Sequence, residues 1–391
     1  SMLKSKYFES MNLSECKDFL EYSYKLTKDL SYDRFKYALF PTMLIFDKYT
    51  KLLQRINPKY TAFDLYKNLD NKTATVNTDI SDMAEKISKN IKLKEAILSS
   101  ESYKNLYTKF DDFKTMADRF LLNNGFKSDY NCYCLEAKTF IEDPNRLINI
   151  LKPILLSASD QNKNSENFDD LMKRLEVVSG GKYKSIEADI QSFRYFHIVR
   201  EESQYLWESL FYYVRKCVLR ANLLLLENED YKSGIANLFF TELIKAMNRG
   251  YLDKSDLKNI KNRNQKFPLS IKVWEASKLL VFEAEGDILK GVSGSFGKAV
   301  GRACIIHSPN EFYKMQKGDI LVCHLTDPEW TPLFKLASAV VADTGAALSH
   351  AAIVAREYGI PAVLGVGFAT TKYKDGDILQ VDGDKGTVRG L

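Results

Sequence analysis

Apolar residues recur at three- and four-residue spacing through most of the first 285 positions. They then give way to short apolar runs set between glycines. The first pattern predicts helices and the second short strands joined by turns. Glycine marks the change: five of the 19 lie in residues 1–285 and 14 in the last 106. Two helices are expected from Leu13 to Leu53, broken near Ser31-Tyr32-Asp33 and again at Pro41. Helices follow at Ile80 to Ile97, Tyr103 to Leu122, and Phe140 to Leu156 with Pro144 near its start. Asp160 to Asn167 reads as a polar loop, and Gly180-Gly181 as a break before one long helix, Ser185 to Leu226.

On that long helix His197, Arg200, Glu201 and Gln204 fall at i, i+3, i+4 and i+7, and so line one face. Leu206, Leu210, Val214 and Cys217 mark an apolar face. The polar stripe reads either as a solvated helix face or as the wall of an acceptor pocket, and pattern alone leaves both open.

Beyond residue 285 the expected strands are Ala299 to His307, Asp319 to His324, Ala337 to Val341 and Ala362 to Leu364. A hairpin, Ile378 to Val381 with Thr387 to Arg389, closes the chain by turning at Asp382-Gly383-Asp384. Gly286 to Gly297 is dense enough in glycine to be a hinge. The strand ending at Val341 runs into Thr344-Gly345-Ala346-Ala347-Leu348-Ser349-His350, and His350 opens an amphipathic helix stopped by Gly359 and Pro361. A helix N-terminus offers unpaired amides and a positive dipole end, which suit a group that becomes anionic. A histidine there can attack phosphorus and carry the phosphoryl group covalently.

Composition narrows the field without choosing. A hydrophobic share of 45% and a charged share of 27% are ordinary for a globular protein. The net charge of +5 is too dispersed to argue for nucleic acid. Cys16, Cys132, Cys134, Cys217, Cys304 and Cys323 are scattered. Only Cys132-Tyr133-Cys134 is close-set, with nothing nearby to complete a zinc site, so reduced thiols and no metal are expected. No leader and no apolar run of membrane length is evident, and the expected location is cytoplasmic. Ser1 before Met2 reads as a residue left by tag cleavage.

The stretch around His350 resembles the phosphohistidine loop of the swivelling domain in phosphoenolpyruvate synthase, pyruvate phosphate dikinase and rifampin phosphotransferase. The pattern T-G-G-x-x-[ST]-H-[AG], then A-x-[IV]-[AV]-R-E-x-G-[IL]-P-A-V, is met at Thr344, Gly345, Ser349, His350, Ala351, Val354, Arg356, Glu357, Gly359, Ile360, Pro361, Ala362 and Val363. Ala346 stands where a second glycine is usual. Thr326-Asp327-Pro328-Glu329-Trp330-Thr331-Pro332 is similar to the T-D-P-x-W-x-P loop of the same domain. The helical part resembles the central domain of rifampin phosphotransferase. Arg200-Glu201 match its R-E-x-x-K motif with Gln204 in place of lysine, and Phe120 to Lys127 with Phe140 to Pro144 match its F-L-x-x-Y-G-x-R … W-x-E-x-P segment, Lys127 replacing arginine. Leu238 to Thr241 is similar to its V-F-F-L-T turn.

The resemblance implies an α + α/β architecture: a helical acceptor-binding domain over 2–285, a hinge at 286–297, and a small swivelling β/β/α phosphohistidine domain over 298–391. It implies an ATP-dependent dikinase that carries the β-phosphoryl of ATP on His350 and hands it to a small molecule. Thr344, Gly345 and Ser349 would serve the phosphoryl group or the imidazole; Arg200, Glu201, Gln204, His197 and Lys127 would hold the acceptor. The order of domains is similar to that of rifampin phosphotransferase and of the glutamine kinase of capsule phosphoramidate synthesis, so a rifamycin-like antibiotic and the L-glutamine amide are candidate acceptors. ATP and Mg²⁺ would belong to an ATP-grasp partner domain, expected upstream in a longer polypeptide or else on a separate one. Neither nucleic acid nor membrane is an expected partner. The alternative is a carrier or binding module that keeps the fold without the phosphate relay. His307 and His324 are expected to be structural, and Trp207, Trp274 and Trp330 to be anchors.

Overall fold

The computed structural model describes residues 7–391 apart from 59, 67–68, 70–73, 129–134, 136, 157–167, 227–233, 280–283, 286, 327–329 and 347–348; the side chains of 74–75, 267–279 and 284–285 also lie outside the description. Features read from sequence that therefore fall wholly or partly beyond it are the Cys132-Tyr133-Cys134 pair, the polar loop at 160–167, the first glycine of the 286–297 segment, the middle of the Thr326–Pro332 loop, positions 347 and 348 of the loop before His350, and the side chain of Trp274.

Helices fill the chain as far as Leu279. They are α1 (Leu13–Arg34), α2 (Phe40–Leu53), α3 (Ala74–Lys89), α4 (Ile91–Leu98), α5 (Tyr103–Lys109), α6 (Asp111–Asn124), α7 (Asn145–Leu156), α8 (Phe168–Ser179), α9 (Tyr183–Leu226), α10 (Phe240–Arg249) and α11 (Lys254–Leu279). The break expected at Ser31 to Asp33 is absent. The helix instead widens into a π segment, Phe35–Leu39, where the Phe40 amide reaches back to the Phe35 carbonyl. Pro41 follows in the first turn of α2, where its missing amide hydrogen costs least. The helix expected over Ile80 to Ile97 is two, because Asn90 leaves helical geometry and its side chain accepts from the Leu93 amide at 3.2 Å. Tyr103 to Leu122 divides likewise at Phe110, whose backbone is extended. Residues 140–144 are turn, and α7 begins after Pro144.

Nine strands among the described residues form one sheet in the order β1-β2-β9-β8-β4-β5-β6-β7-β3. They are β1 (Ala284–Glu285), β2 (Ile288–Lys290), β3 (Val292–Ser295), β4 (Lys298–Ile306), β5 (Ile320–Cys323), β6 (Ala339–Ala342), β7 (Ala362–Leu364), β8 (Ile378–Asp382) and β9 (Thr387–Gly390). The first half of β4 pairs antiparallel with β8 and its second half parallel with β5, so one long strand joins two kinds of sheet. Strands β5, β6 and β7 are parallel and buried at every position, as their unbroken apolar runs require. Short helices α12 (Thr331–Phe334), α13 (His350–Tyr358) and α14 (Ala369–Lys372) follow β5, β6 and β7.

The glycine-rich segment over 286–297 contributes β2 and β3 to this sheet. At Gly291 a Cβ would lie 2.5 Å from the Leu364 carbonyl oxygen. Glycine is needed there for close approach of strands.

By contact density the chain forms two compact units. One comprises Ser1–Tyr32, Leu121–Asp143 and Tyr205–Lys278; the other comprises Asp33–Phe120, Pro144–Gln204 and Leu279–Leu391. In the first unit Phe8, Cys16 and Leu20 bury against Cys217, Val218, Ile235, Leu243 and Met247. Leu206, expected on the apolar face of α9, is exposed. The second unit has a helical core of Tyr49, Leu53, Phe63, Tyr66, Leu171, Leu175 and Phe193, and a sheet core that includes Ile305, Val322, Val341, Val363 and Val381.

Candidate functional site

The parallel strand β6 runs into residues 343–346, and Ser349 stands at the head of α13; residues 347 and 348 between them lie outside the description. Asp343, 3% exposed, anchors the start of this loop: its carboxylate accepts from the Thr370 amide at 3.2 Å and from the Thr370 hydroxyl, with His324 Nδ1 3.6 Å away. The Thr344 amide donates to the His324 carbonyl at 3.0 Å. The Thr344 hydroxyl donates to the same oxygen at 2.8 Å, so it braces the loop and has given its proton to the backbone. Gly345 turns the chain at φ +118°, where a Cβ would sit 3.3 Å from Ser349 Oγ. Ser349 caps α13 in extended geometry, and its buried hydroxyl has no hydrogen-bond partner among the described residues. The same holds for Thr326, 5% exposed, at the end of the loop after β5.

His350 is half-buried at the first position of α13. Its Nε2 lies 3.3 Å from Thr331 Oγ1, at the start of α12. Trp330, 5% exposed and edge-on to Phe312 at 5.0 Å, fixes the loop that carries Thr331.

Within the same unit, α13 lies on the helical core. Ile353 packs against the cluster around Tyr49, Phe63 and Phe193. The Arg356 guanidinium sits 4.7 Å from the Phe63 ring centroid, and burial lowers its pKa to about 10. The short 3₁₀ turn Ala62–Tyr66 that holds Phe63 also presents Tyr66 to α9. Tyr66 stacks between Phe193 at 4.8 Å and His197 at 3.7 Å. One turn of five residues thus touches both the histidine-bearing helix and the polar face of α9.

That face carries the Arg200–Glu201 pair at 3.2 Å, both side chains largely buried. His197 is 5% exposed; burial lowers its pKa to about 4, so the ring is neutral near pH 7. Glu357 is exposed, yet the protein crowded around its carboxyl raises it to about 7, with the charge of Glu201 adding to the effect. His350, Arg200, Glu201, Gln204 and His197 all belong to this unit. Lys127 belongs to the other, where its ammonium is buried and meets Glu208 at 2.6 Å. Among the described residues no group of three or more His, Cys, Asp and Glu side chains is placed to hold a metal ion, and no helix is long and apolar enough to cross a membrane.

Sequence reading singled out the loop and the α9 face. It gave no part to Thr331, Asp343 or Tyr66 and no role to Glu357. The Trp330-Thr331-Pro332 string was a usable signal for the first; the others needed tertiary contacts.

Comparison with known proteins agrees with this architecture. Residues 315–386 match the mobile domain of PEP-utilising enzymes, and residues 36–201 match the fourth domain of rifampicin phosphotransferase. An uncharacterized phosphotransferase, YvkC, of Bacillus subtilis is 54% identical over 98 residues, which is 25% of this chain and 12% of that protein. Phosphoenolpyruvate synthase of Aeropyrum pernix is 53% identical over 106 residues, 27% of this chain and 13% of that one. The prodigiosin synthesizing transferase PigC of Serratia marcescens is 46% identical over 107 residues, 27% and 12% of the two chains. The chain therefore spans about an eighth of the length of these relatives. The chain thus joins a segment similar to the mobile domain of PEP-utilising enzymes to a helical region similar to the fourth domain of rifampicin phosphotransferase.

Proposed function

We propose that this chain is the phosphoryl-carrying and acceptor-binding part of an ATP-dependent dikinase. An imidazole nitrogen of His350 attacks the β-phosphorus of ATP, the bond to the α-phosphate breaks and AMP leaves; water then breaks the β–γ bond, phosphate leaves, and the β-phosphoryl stays on His350. The acceptor then attacks phosphorus and the N–P bond breaks, which returns the free histidine. Overall, ATP, acceptor and water become AMP, phosphate and phospho-acceptor. An ATP-grasp domain, in cis or as a separate polypeptide, would hold the nucleotide and its Mg²⁺. The histidine domain would travel between the two sites as a body, with β2 and β3 moving as part of its sheet.

The observation that carries this reading is the seating of α13 against the turn Ala62–Tyr66, which also stacks on the Arg200–Glu201 face. His350 heads that helix, where unpaired amides favour the charge it would gain. The buried, unpartnered hydroxyl of Ser349 beside it suits a phosphoryl oxygen. Arg200 would meet the incoming phosphoryl group and Glu201 would orient or deprotonate the acceptor. Gln204 and His197 complete that wall, while the pairing of Lys127 with Glu208 supports a bracing part for Lys127. Rifamycin-like antibiotics and the L-glutamine amide remain candidate acceptors.

The test is AMP release with the ATP-grasp domain supplied. Release that depends on an added acceptor and vanishes in His350→Ala supports the reading; release indifferent to both contradicts it.

A further inference from the structure

One side of α13 buries Ala351, Ala352, Val354 and Ala355. The other carries His350, Ile353 and Arg356 at successive three-residue steps, and it is this side that meets the helical region. Ile353 packs against the cluster of Tyr49, Phe63 and Phe193, and the Arg356 guanidinium lies 4.7 Å from the centre of the Phe63 ring. Phe63 is 6% exposed and is held edge-on by Phe46 at 4.8 Å and by Tyr66 at 5.8 Å. The ring therefore offers a fixed face, which a flat guanidinium fits better than an ammonium does. Burial lowers Arg356 to about 10, opposed by the charge of Asp64 next to Phe63, so the group stays cationic near pH 7.

A second patch is formed on α7. The 3₁₀ segment Pro309–Lys314 and α12 both pack on that helix, and the Asn149 side-chain amide donates to the Asn310 side-chain oxygen at 3.2 Å. Lys335, just after α12, donates to Ser81 Oγ on α3 at 3.2 Å. Both of these side-chain bonds are exposed, and water replaces either partner at small cost. They align the histidine domain more than they hold it. The Arg356 contact differs, because it sets a planar cation on a buried ring. Two patches on one body also reinforce each other, since each keeps the partners of the other close.

We propose that Arg356 is a positioning residue: stacked on Phe63, it pins the histidine domain to the helical region with His350 on the docked side of α13. Tyr66, on the same turn as Phe63, stacks on His197 of the α9 face, so the pin also sets where His350 stands relative to that face. The surroundings of the imidazole itself, Thr331 and Ser349, belong to the histidine domain and do not depend on the pin. This assignment rests on the phosphotransferase reading above, and the experiment separates the two.

The docked pose is read in the other patch, away from the pin. Asn149→Cys and Asn310→Cys are introduced together, the chain is treated with a short bis-maleimide, and the rate of linking the two new thiols is followed by tandem mass spectrometry. Arg356→Met is expected to slow that linking by about fivefold or more. Phe63→Leu should slow it equally, the two changes together should add less than about twofold to either, and Phe63→Tyr, which keeps the ring, should link at the parental rate. Charging of His350 by phosphoramidate should stay within about twofold of the parent in every variant. Should Arg356→Met unfold the chain, Arg356→Lys, which keeps the charge and loses the flat face, is read in its place. Parental linking in the folded Arg356 variant, additive effects of the two changes, or charging that falls in step with linking overturns the pin. Linking that follows these expectations in a chain whose His350 accepts no phosphoryl group leaves the pin standing and counts against the phosphotransferase reading.

Discussion

Thr331 Oγ1 stands 3.3 Å from Nε2 of His350. The contact links α12 to the head of α13 and fixes the rotation of a ring that is otherwise half open to solvent. A single hydrogen bond of this kind contributes about 1 kcal/mol. Thr331→Val keeps the shape of the side chain and removes the hydroxyl. Charging of His350 by phosphoramidate is expected to slow by roughly fivefold to tenfold, with the melting temperature lowered by no more than about 4 °C. Unaltered charging kinetics would show that the hydroxyl does not orient the ring.

Gly345 is the position where the loop tolerates no side chain. At φ +118° an alanine is strained, and its Cβ would crowd Ser349 Oγ at 3.3 Å. Gly345→Ala is expected to cost about 1–3 kcal/mol and to displace the cap of α13. Thermal unfolding and His350 charging should fall together. A variant as stable as the parent would contradict the strain assigned to this turn.

His197 and Glu357 give stability opposite dependences on pH. Burial holds His197 near 4 against an ordinary 6.5, so between those values the unfolded chain binds more protons. Its contribution is complete above about 6.5 and is lost as the pH falls towards 4; the upper bound is about 3 kcal/mol. Glu357 is raised to about 7, so the folded chain binds more protons between 4.5 and 7, and stability declines as the pH rises through that window. The urea midpoint of His197→Gln should therefore drop less on acidification than that of the parent, and Glu357→Gln should drop more. Parallel profiles for all three proteins would refute both assignments.

Lys127 and Glu208 are each about 5% exposed and meet at 2.6 Å. Removing one partner leaves a buried charge, a loss of about 3–5 kcal/mol, whereas replacing both by apolar residues is close to neutral. Lys127→Met should destabilise strongly, and Lys127→Met with Glu208→Leu should recover most of the loss in chemical denaturation. A single variant of full stability that no longer transfers its phosphoryl group would place Lys127 with the acceptor instead.

The histidine domain was legible because its signals are local. Strands β5 to β7 are unbroken apolar runs, and Gly345, Ser349, His350 and Gly359 punctuate one loop and one helix within 15 residues. The helical part was legible in kind but not at its joints. Asn90 caps where periodicity ran on, and the π segment before Pro41 absorbs a break that proline and the Ser31-Tyr32-Asp33 string suggested. The glycines of 286–297 read as freedom from sequence because the strand that crowds Gly291 lies more than 70 residues later. Tyr66 stayed invisible for the same reason: its meaning comes from His197, 131 residues away.

The central claim is that His350 is a phosphoryl carrier, and locating the adduct tests it most directly. With the ATP-grasp domain and ATP supplied, or with phosphoramidate alone, tandem mass spectrometry should find one acid-labile, base-stable phosphoryl group on His350. It should be absent from His350→Ala and lost on addition of a competent acceptor. A phosphoryl group that persists in His350→Ala, or that maps to another residue, contradicts the account.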